Sequence, residues 1–342
     1  MNNFSIGVDL GGTNLRIAAV DEQGTLLEKV SLGTKLSLGR DRVIDDMCDA
    51  IQRIAQKYNN SAPLLGIGIG VPGIVDLEKG MMRAAVNLPG WGNYPARAEI
   101  ERRLQTTVIL ENDGNVAALG EKWLGAAKDF SDMAMLTLGT GVGGGLVLGD
   151  AIWHGVNGMA GEFGHITVAP DGPLCGCGNR GCLELYASAT AVVRMAREEA
   201  ASNPGSSLAL AATADREFSA QSIYDLAMSD NCNEDARHVF QRVGRALGIA
   251  LATLVNVLNL PVYVIGGGAA SAWDAFAPSL FAELNQRSLV YAANAMNDPP
   301  GNNESSSPQV KSGAAQPTIV TRALLGSDAG LYGAARLPII AK

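Results

Sequence analysis

The fold is decided by two matching stretches, DLGGTNLRIAAVDEQG at residues 9–24 and TLGTGVGGGLVLGD at residues 137–150. In each, an apolar strand ends, the chain turns through glycine and threonine, and a second apolar strand follows, which is typical of a β-hairpin. The two stretches start roughly 130 residues apart, a period too long for a solenoid. They therefore predict two related lobes, each of which presents a Gly/Thr turn to one cleft.

The two turns have the composition of a phosphate-binding loop. Glycine permits positive φ and lets a phosphate approach backbone N–H groups, while threonine and asparagine add side-chain donors. Neither turn fits the G-x-x-x-x-G-K-[ST] loop or a G-x-G-x-x-G that opens a helix. An ordinary hairpin explains one such turn equally well, whereas two that face each other favour a phosphate clamp. The candidate residues are Gly11, Gly12, Thr13 and Asn14 in the first turn, and Gly139, Thr140 and Gly141 in the second.

Two more features favour phosphate chemistry. Asp9 comes at the end of the first strand, where a carboxylate can hold Mg²⁺ or its waters. A glycine cluster follows the predicted strand Leu260–Ile265 and precedes a helix, whose N-terminus favours phosphate. A tight connection without a ligand is the alternative for this cluster. Its candidate residues are Gly266, Gly267 and Gly268.

The rest of the chain alternates strands and helices, which predicts an α/β protein. Apolar spacing predicts helices at Asp41–Tyr58 and Asn233–Asn259. A length of 342 residues fits two domains. We expect a small N-terminal lobe of residues 1–121 plus 327–342 and a large C-terminal lobe of residues 122–326.

The composition excludes several classes of protein. The net charge of −8, the pI near 5.0 and the lack of a Lys/Arg-rich run argue against a nucleic-acid surface. The N-terminus enters an apolar strand without a secretory signal, and no apolar run reaches the ~20 residues that span a bilayer. We therefore expect a cytoplasmic protein with no nucleic-acid or membrane partner. A reducing cytoplasm also keeps cysteines available as metal-binding thiolates.

One glycine-rich segment, residues 159–184, has the spacing of a zinc site. The candidate ligands are His165, Cys175, Cys177 and Cys182. A flexible loop can bring them to tetrahedral positions, and a Cys₃His set suits structural zinc. Free or disulfide-bonded cysteines are the alternative, but C-x-C is too tight a spacing for an easy internal disulfide. We expect the loop to present Glu162, Glu184 and the imidazole of His165 to a polar ligand.

A further polar pair follows the predicted strand Val108–Glu111. Asn112 and Asp113 fall between this strand and a helix, and strand C-termini are where open α/β sheets bind ligands. A helix N-cap is the alternative for Asp113, although capping explains only one of the two adjacent residues. The loop Asn87–Trp91 either lines a pocket for a polar ring or forms a structural turn with a packed indole.

Taken in order, these motifs resemble the ROK family (repressors, open reading frames, kinases), most closely its bacterial glucokinase branch. The resemblance rests on DLGGTNLR, GVPGIVD, NLPGW, END, LGTGVGGG, AGEFGH and CGCGNRGCLE, which occur in the family's order between Ile6 and about Ala335. The joint occurrence of seven ordered motifs is highly specific. Residues 296–316, rich in Pro, Ser, Asn and Gly, depart from the family pattern as an insertion and are predicted to form an exposed loop.

The resemblance implies an actin-like ATPase fold, in which two lobes built on ribonuclease-H-like sheets close over a cleft that binds Mg-ATP and a sugar. It implies that Asp113 is the general base for phosphorylation of the sugar 6-hydroxyl. It implies that the Cys₃His site holds zinc while its histidine also contacts the sugar, and that the protein is a homodimer or homotetramer. The implied sugar contacts are Asn87, Asn112, Asp113, Glu162, His165 and Glu184.

Glucose is the substrate that we expect, and the family offers several alternatives. Fructokinase, N-acetylglucosamine kinase and N-acetylmannosamine kinase share the same frame, and polyphosphate is an alternative donor to ATP. The repressors of the family carry an N-terminal helix-turn-helix, which is not seen before Phe4. A non-catalytic sugar-binding protein would need neither Asp113 nor two Gly/Thr turns.

Overall fold

The structure is a computed structural model that describes residues 2–85, 88–214, 218–229, 233–295 and 317–341. The exposed loop predicted at residues 296–316 lies outside the described residues. The chain divides into two compact units. The first unit consists of Met1–Met135, Gly145–Gly161 and Leu324–Lys342, and the second consists of Leu136–Gly144 and Glu162–Ala323. The predicted lobe limits, after residue 121 and before residue 327, stay a prediction.

Strands and helices alternate along the chain, which confirms the predicted α/β class. In the part of the chain that the structure describes, the strands are β1 (Phe4–Leu10), β2 (Asn14–Asp21), β3 (Leu26–Gly33), β4 (Leu64–Val71), β5 (Ile74–Asp76), β6 (Met81–Ala84), β7 (Val108–Asn112), β8 (Met133–Leu138), β9 (Val142–Leu148), β10 (Ala151–Ile152), β11 (Val262–Gly266) and β12 (Ile319–Arg322). The α-helices of the same part are α1 (Arg40–Asn59), α2 (Ala96–Leu104), α3 (Asp113–Leu124), α4 (Glu184–Ala187), α5 (Ala189–Ser202), α6 (Ser207–Ala214), α7 (Ala220–Met228), α8 (Glu234–Leu258), α9 (Trp273–Arg287), α10 (Leu289–Ala295) and α11 (Ala329–Ile340). None of these helices is long and apolar enough to cross a membrane.

The two five-stranded sheets share one strand order. The first sheet has the order β3-β2-β1-β4-β7 and the second has the order β10-β9-β8-β11-β12. In the first, β2 is antiparallel to both β1 and β3, whereas β4 is parallel to β1 and β7 is parallel to β4. In the second, β10 is antiparallel to β9 and β12 is parallel to β11. The shared order confirms the duplication that the two Gly/Thr hairpins predicted.

Helix α1 covers one face of the first sheet. Its buried side chains include those whose spacing predicted the helix, namely Val43, Ile44, Met47, Ile51 and Ile54. They share one core with the inward side chains of β1, among them Ile6 and Val8. Because burying such a side chain contributes about 1.5–3 kcal/mol, this face supplies much of the stability of the first unit.

The opposite face is covered by α11, which also packs closely against α3. A Cβ added to Gly333 would lie 1.6 Å from the carbonyl oxygen of Val116, and one added to Gly120 would lie 2.1 Å from that of Ala329. Only glycine fits where one helix backbone meets another at such a distance. The sequence predicts that Gly330 and Gly333 allow the last helix to pack closely against a neighbour, and the contacts of Gly333 confirm this.

Two helix predictions need correction. The sequence predicts one helix at Tyr186–Ala201, but the structure interrupts it at Ser188, because the Ser188 hydroxyl caps α5 by accepting a hydrogen bond from the Ala191 N–H. The sequence also predicts one helix at Trp273–Leu289, whereas α9 ends at Arg287 and a separate helix, α10, follows it. The stretch Ala209–Ala214, for which the sequence specifies no element clearly, belongs to α6.

We expect Gly333→Ala to lower the free energy of unfolding by about 1–3 kcal/mol, because the added methyl group must push α11 away from α3. Urea unfolding measures this change. Gly205→Ala is the matched control, since a Cβ there would have no neighbour within 4 Å. Equal stability of the two variants would contradict the close helix packing.

Candidate active site

The first Gly/Thr turn joins β1 to β2 and is closed by backbone hydrogen bonds. The N–H of Gly11 donates to the carbonyl of Asn14 over 2.8 Å. The hydroxyl of Thr34 donates to the carbonyl of Gly11 over 2.7 Å, and the Thr34 N–H donates to the carbonyl of Thr13 over 2.8 Å. The predicted Gly/Thr turn is therefore a braced hairpin with exposed Thr13 and Asn14 side chains.

Asp9 lies beside this turn, opposite Arg16 in the β1–β2 ladder. The Arg16 guanidinium lies 3.2 Å from the Asp9 carboxylate and also donates to the carbonyl of Ser327 over 2.8 Å. Burial raises the pKa of Asp9, although Arg16 acts in the opposite direction. A half-buried carboxylate with one cationic neighbour fits Mg²⁺, which commonly binds one or two protein carboxylates together with phosphate oxygens and waters.

The predicted polar site residues of the first sheet lie at one edge. In register, Asp9 pairs with Gly70, and Gly70 pairs with Glu111. Because β1, β4 and β7 run parallel, their carboxyl ends meet at this edge. The structure thus brings the predicted magnesium ligand to the same edge as Asn112, the last residue of β7.

The strand-to-helix turn at this edge shows which of its two polar residues is the cap. Asn112 is the N-cap of α3, and its Oδ1 accepts from the N–H groups of Gly114 and Asn115 over 2.8 and 3.2 Å. Its amide also donates to the carbonyl of Gly73 over 3.1 Å. Asp113 is the first residue of α3, so the capping alternative proposed for Asp113 belongs to Asn112.

The loop between β6 and α2 was predicted either to line a pocket or to form a turn with a packed indole, and the structure decides this for Trp91. Trp91 is fully buried and meets Tyr94 edge to face, with ring centroids 5.8 Å apart. The packed-indole interpretation is therefore right for Trp91, and the pocket interpretation is wrong for this residue. Asn87 lies outside the described residues, so its predicted sugar contact stays a prediction.

The second Gly/Thr turn, between β8 and β9, borders a cavity of about 370 Å³. The N–H of Gly139 donates to the carbonyl of Gly141 over 2.9 Å. Gly139, Thr140 and Gly268 line the cavity together. Their binding of a cofactor stays a prediction. Gly267 has a φ of +85°, and its α-carbon lies against the backbone of β8. Gly266 ends β11 immediately before this bend.

The other walls of this cavity are mostly apolar and partly aromatic. They come from the start of α5, from α7, from α8, and from α9 and the segment that precedes it. The side chains include Val192, Tyr224, Phe240, Val243 and Phe276. An apolar cavity that opens beside backbone N–H groups suits a flat ring joined to an anionic group.

Glu184 begins α4 and lies against the second turn. Its Oε2 accepts from the N–H of Val142 over 3.0 Å, and a Cβ added to Gly141 would lie 2.2 Å from the same oxygen. The carboxylate is therefore fixed beside the turn, which leaves its other oxygen available to a ligand. The sequence placed Glu184 near the cysteines but gave no sign of this contact, because the two partners are 42 residues apart.

The four predicted metal ligands converge in the second unit. The ligand atoms of His165, Cys175, Cys177 and Cys182 all lie within 4.8 Å of one another. The Cys177 and Cys182 sulfurs are 3.7 Å apart, and the Cys175 sulfur is 3.8 Å from His165 Nδ1. Two sulfurs that each lie about 2.3 Å from a tetrahedral zinc are about 3.8 Å apart. The spacing of the donors therefore fits zinc.

The loop that carries the cysteines folds around this point through two glycines. Gly178 and Gly181 have positive φ values of 91° and 63°, which an L side chain rarely adopts. Burial and the neighbouring thiols raise the pKa of Cys182 to about 12. A metal ion bound at this point would favour the thiolate form.

The two ring nitrogens of His165 face different partners. Nδ1 faces Cys175, whereas Nε2 lies 3.9 Å from the carboxylate of Glu162. A metal held through Nδ1 leaves Nε2 for another partner, and the exposed side chain of Glu162 lies beside it. This arrangement agrees with the prediction that the imidazole serves both the metal and a polar ligand.

Glu111, the residue before Asn112, forms a hydrogen-bonded pair with His154 that was not predicted from the sequence. The Glu111 carboxylate is buried and lies 2.6 Å from Nε2 of His154, in the loop after β10. The hydrogen bond with Glu111 raises the pKa of His154. Glu111 is part of the END motif, but a glutamate at the end of an apolar strand is usually an exposed residue, so its burial was not predicted.

Comparisons with known proteins identify similar sequences. A model of the ROK family matches residues 5–339. The glucokinase of Halalkalibacterium halodurans is 37% identical over 334 residues, which cover 97% of this chain and 94% of that protein. The xylose repressor of Caldicellulosiruptor bescii is 30% identical over 292 residues, which cover 83% of this chain and 71% of that protein.

A solved structure provides the same comparison in three dimensions. The ROK family glucokinase from Streptomyces griseus, in complex with glucose and AMPPNP, is similar with a TM-score of 0.74 and 31% identity, covering 98% of this chain and 99% of that one. The likeness confirms the predicted actin-like ATPase fold in two lobes.

We expect Cys177→Ser to lower both the bound zinc and the melting temperature, because the loop loses one of its four anchors. Atomic absorption on protein purified without chelator, together with thermal unfolding, measures both quantities. Cys48→Ala removes a buried thiol outside the cluster and should leave the zinc content unchanged. Zinc-free wild-type protein of unaltered stability would contradict the prediction.

Proposed function

The chain belongs to the ROK family, and from this membership we propose that it is a glucokinase that transfers the γ-phosphoryl group of ATP to the 6-hydroxyl of glucose. Glucokinase relatives at 37% identity support sugar kinase activity. The observation that carries the proposal is the position of Asp113, at the first residue of α3 and at the sheet edge that also holds Asp9.

Asp113 is proposed as the general base. Phosphoryl transfer needs positioning and charge stabilisation from the protein rather than covalent chemistry. A carboxylate within about 2.6–3.2 Å of the acceptor hydroxyl takes its proton as the bond to phosphorus forms and the bond to ADP breaks. The capping of α3 by Asn112 supports this role, because the first helical residue is then held in a fixed direction.

The nucleotide is proposed to lie along the second Gly/Thr turn. The apolar cavity beside Gly139, Thr140 and Gly268 is suited to the adenine ring, and the turn N–H groups are suited to the phosphates. The first turn, with Gly11, Gly12, Thr13 and Asn14, is proposed as the second phosphate contact. Mg²⁺ held through Asp9 would supply charge neutralisation at the transferred phosphate.

The sugar is proposed to be recognised by polar side chains with fixed partners. The proposed contacts are Asn87, Asn112, Asp113, Glu162, His165 and Glu184. Of these, Asn112 is fixed by its capping bonds, Glu184 by Val142, and His165 by the proposed zinc site. Such side chains select a sugar because a missing or inverted hydroxyl leaves a partner without its hydrogen bond.

Two further properties complete the proposal. The resemblance to the family supports a homodimer or homotetramer. Zinc bound by thiolates and the use of ATP support an activity in the reducing cytoplasm. The repressor relative keeps sugar-regulated DNA binding as the alternative from another class, and the first experiment below separates the two.

We expect a coupled ADP-release assay with Mg-ATP to give a kcat/KM for glucose at least tenfold above that for fructose, mannose, N-acetylglucosamine or N-acetylmannosamine. This ratio corresponds to about 1.4 kcal/mol of transition-state binding. Preference for an N-acetyl sugar would overturn the glucose assignment and retain a sugar kinase. Sugar binding without turnover would favour the alternative of a regulatory binding protein.

We expect Asp113→Asn to reduce kcat by about 10³-fold while glucose binding persists, because the amide cannot accept the hydroxyl proton. Steady-state kinetics and isothermal titration with glucose measure the two effects. Asp129→Asn, which alters an exposed carboxylate of the same unit, is the control and should leave kcat unchanged. Near wild-type turnover of the Asp113 variant would remove Asp113 from the role of base.

A further inference from the structure

Glu111 is a buried carboxylate immediately before the Asn112–Asp113 turn. Side chains alternate along β7, so Glu111 faces the same side as Ile109, which packs against the core between α3 and α11. Glu111 is 3% exposed. A carboxylate at such a depth is stable only if hydrogen bonds or an opposite charge compensate the water that it has lost.

Three hydrogen-bond partners, Asn112, Asn115 and His154, satisfy this carboxylate. Its Oε1 accepts from the N–H of Asn112 over 2.8 Å and from the side-chain amide of Asn115 over 2.9 Å. Its Oε2 lies 2.6 Å from Nε2 of His154. Both oxygens therefore have partners, and two of the three donors come from the turn and from the first turn of α3.

His154 joins the pair from another segment of the chain. It follows β10, and its carbonyl accepts from the N–H of Ala160 over 3.1 Å, which closes the loop of residues 154–160. The neighbouring Trp153 N–H donates to the carbonyl of Leu146 over 2.7 Å, which fixes the start of this loop on β9. The imidazole is 38% exposed, so it joins the buried carboxylate to the surface.

We propose that Glu111 and His154 form a positioning pair that fixes the direction of Asp113 for proton transfer. This inference rests on the proposed function, in which Asp113 is the base. The carboxylate holds the backbone N–H before Asp113 and the side chain of Asn115, and His154 holds the carboxylate. Neither member of the pair is proposed to contact the substrate.

The hydrogen bonds of Glu111 are not needed to cap α3. Asn112 alone satisfies two N–H groups at the helix N-terminus. A pair with a buried carboxylate is weak evidence for stability, because well-packed apolar residues often stabilise a fold equally well. A buried carboxylate just before a proposed base, held by a partly exposed imidazole, is suited to holding that base within the small tolerance that proton transfer needs.

The test is a set of kinetic variants. Glu111→Gln replaces one acceptor oxygen by a donor, and His154→Ala removes the imidazole. We expect kcat to fall by about 10- to 100-fold in each, with KM for sugar and ATP nearly unchanged, because a small displacement of the base slows the chemical step alone. In the double variant, kcat should equal that of Glu111→Gln, since the two residues act as one unit. His154→Gln, which keeps a donor, should recover part of kcat.

His238→Ala is the matched control. His238 and Glu199 form another His–Glu pair, with 3.1 Å between ring nitrogen and carboxylate, on helices of the second unit. Its loss should leave kcat unchanged. If Glu111→Gln does not fold, His154→Ala and His154→Gln decide the question, because the imidazole is partly exposed.

Three outcomes overturn the positioning role. These are unchanged kcat in the folded variants, losses of kcat that multiply in the double variant, and losses matched by equal rises in KM and falls in melting temperature. Wild-type activity on another sugar overturns only the glucose assignment, and the variants are then compared on that sugar. A wild-type protein without turnover on any sugar overturns the proposed function and the positioning role together.

Discussion

The first unit depends on how closely α11 can lie against β1, β4 and α3. Helix and strand backbones approach at this distance only where no Cβ intervenes, which Gly7, Gly120 and Gly333 provide. At the start of α11, a Cβ on Gly330 would lie 3.3 Å from the carboxyl carbon of Asp9. The same packing therefore holds the unit together and sets the surroundings of the proposed magnesium ligand.

Three carboxylates lie at or beside one sheet edge, and each is accommodated differently. Asp9 faces a guanidinium, Glu111 is enclosed by amides and an imidazole, and Asp113 lies at a helix N-terminus, where the macrodipole favours negative charge. The three carboxylates therefore have different electrostatic surroundings. This difference suits the separate roles proposed for them, which are metal binding for Asp9, positioning for Glu111 and proton transfer for Asp113. In the second unit, one short segment supplies both the metal ligands and the carboxylates that flank them.

The sequence predicted the features that leave a periodic or repeated pattern. The apolar spacing of α1 and the two Gly/Thr hairpins are visible along the chain, because burial repeats with the geometry of the element. The burial of Glu111 leaves no such pattern, since it depends on His154, 43 residues away. The break at Ser188 was missed because a capping serine resembles any polar residue on a helix surface.

The first unit is assembled from three separate segments of the chain, and its last segment carries α11. Synthesis proceeds from the N-terminus, so β1, β4 and α3 emerge long before the helix that covers them. Until α11 is made, side chains such as Ala18 and Val20, which pack against Leu331 and Ala335, have no cover. The nascent first unit therefore exposes an apolar sheet face while the second unit is synthesised, and exposed apolar surface of this kind favours aggregation until the long-range contacts of α11 form.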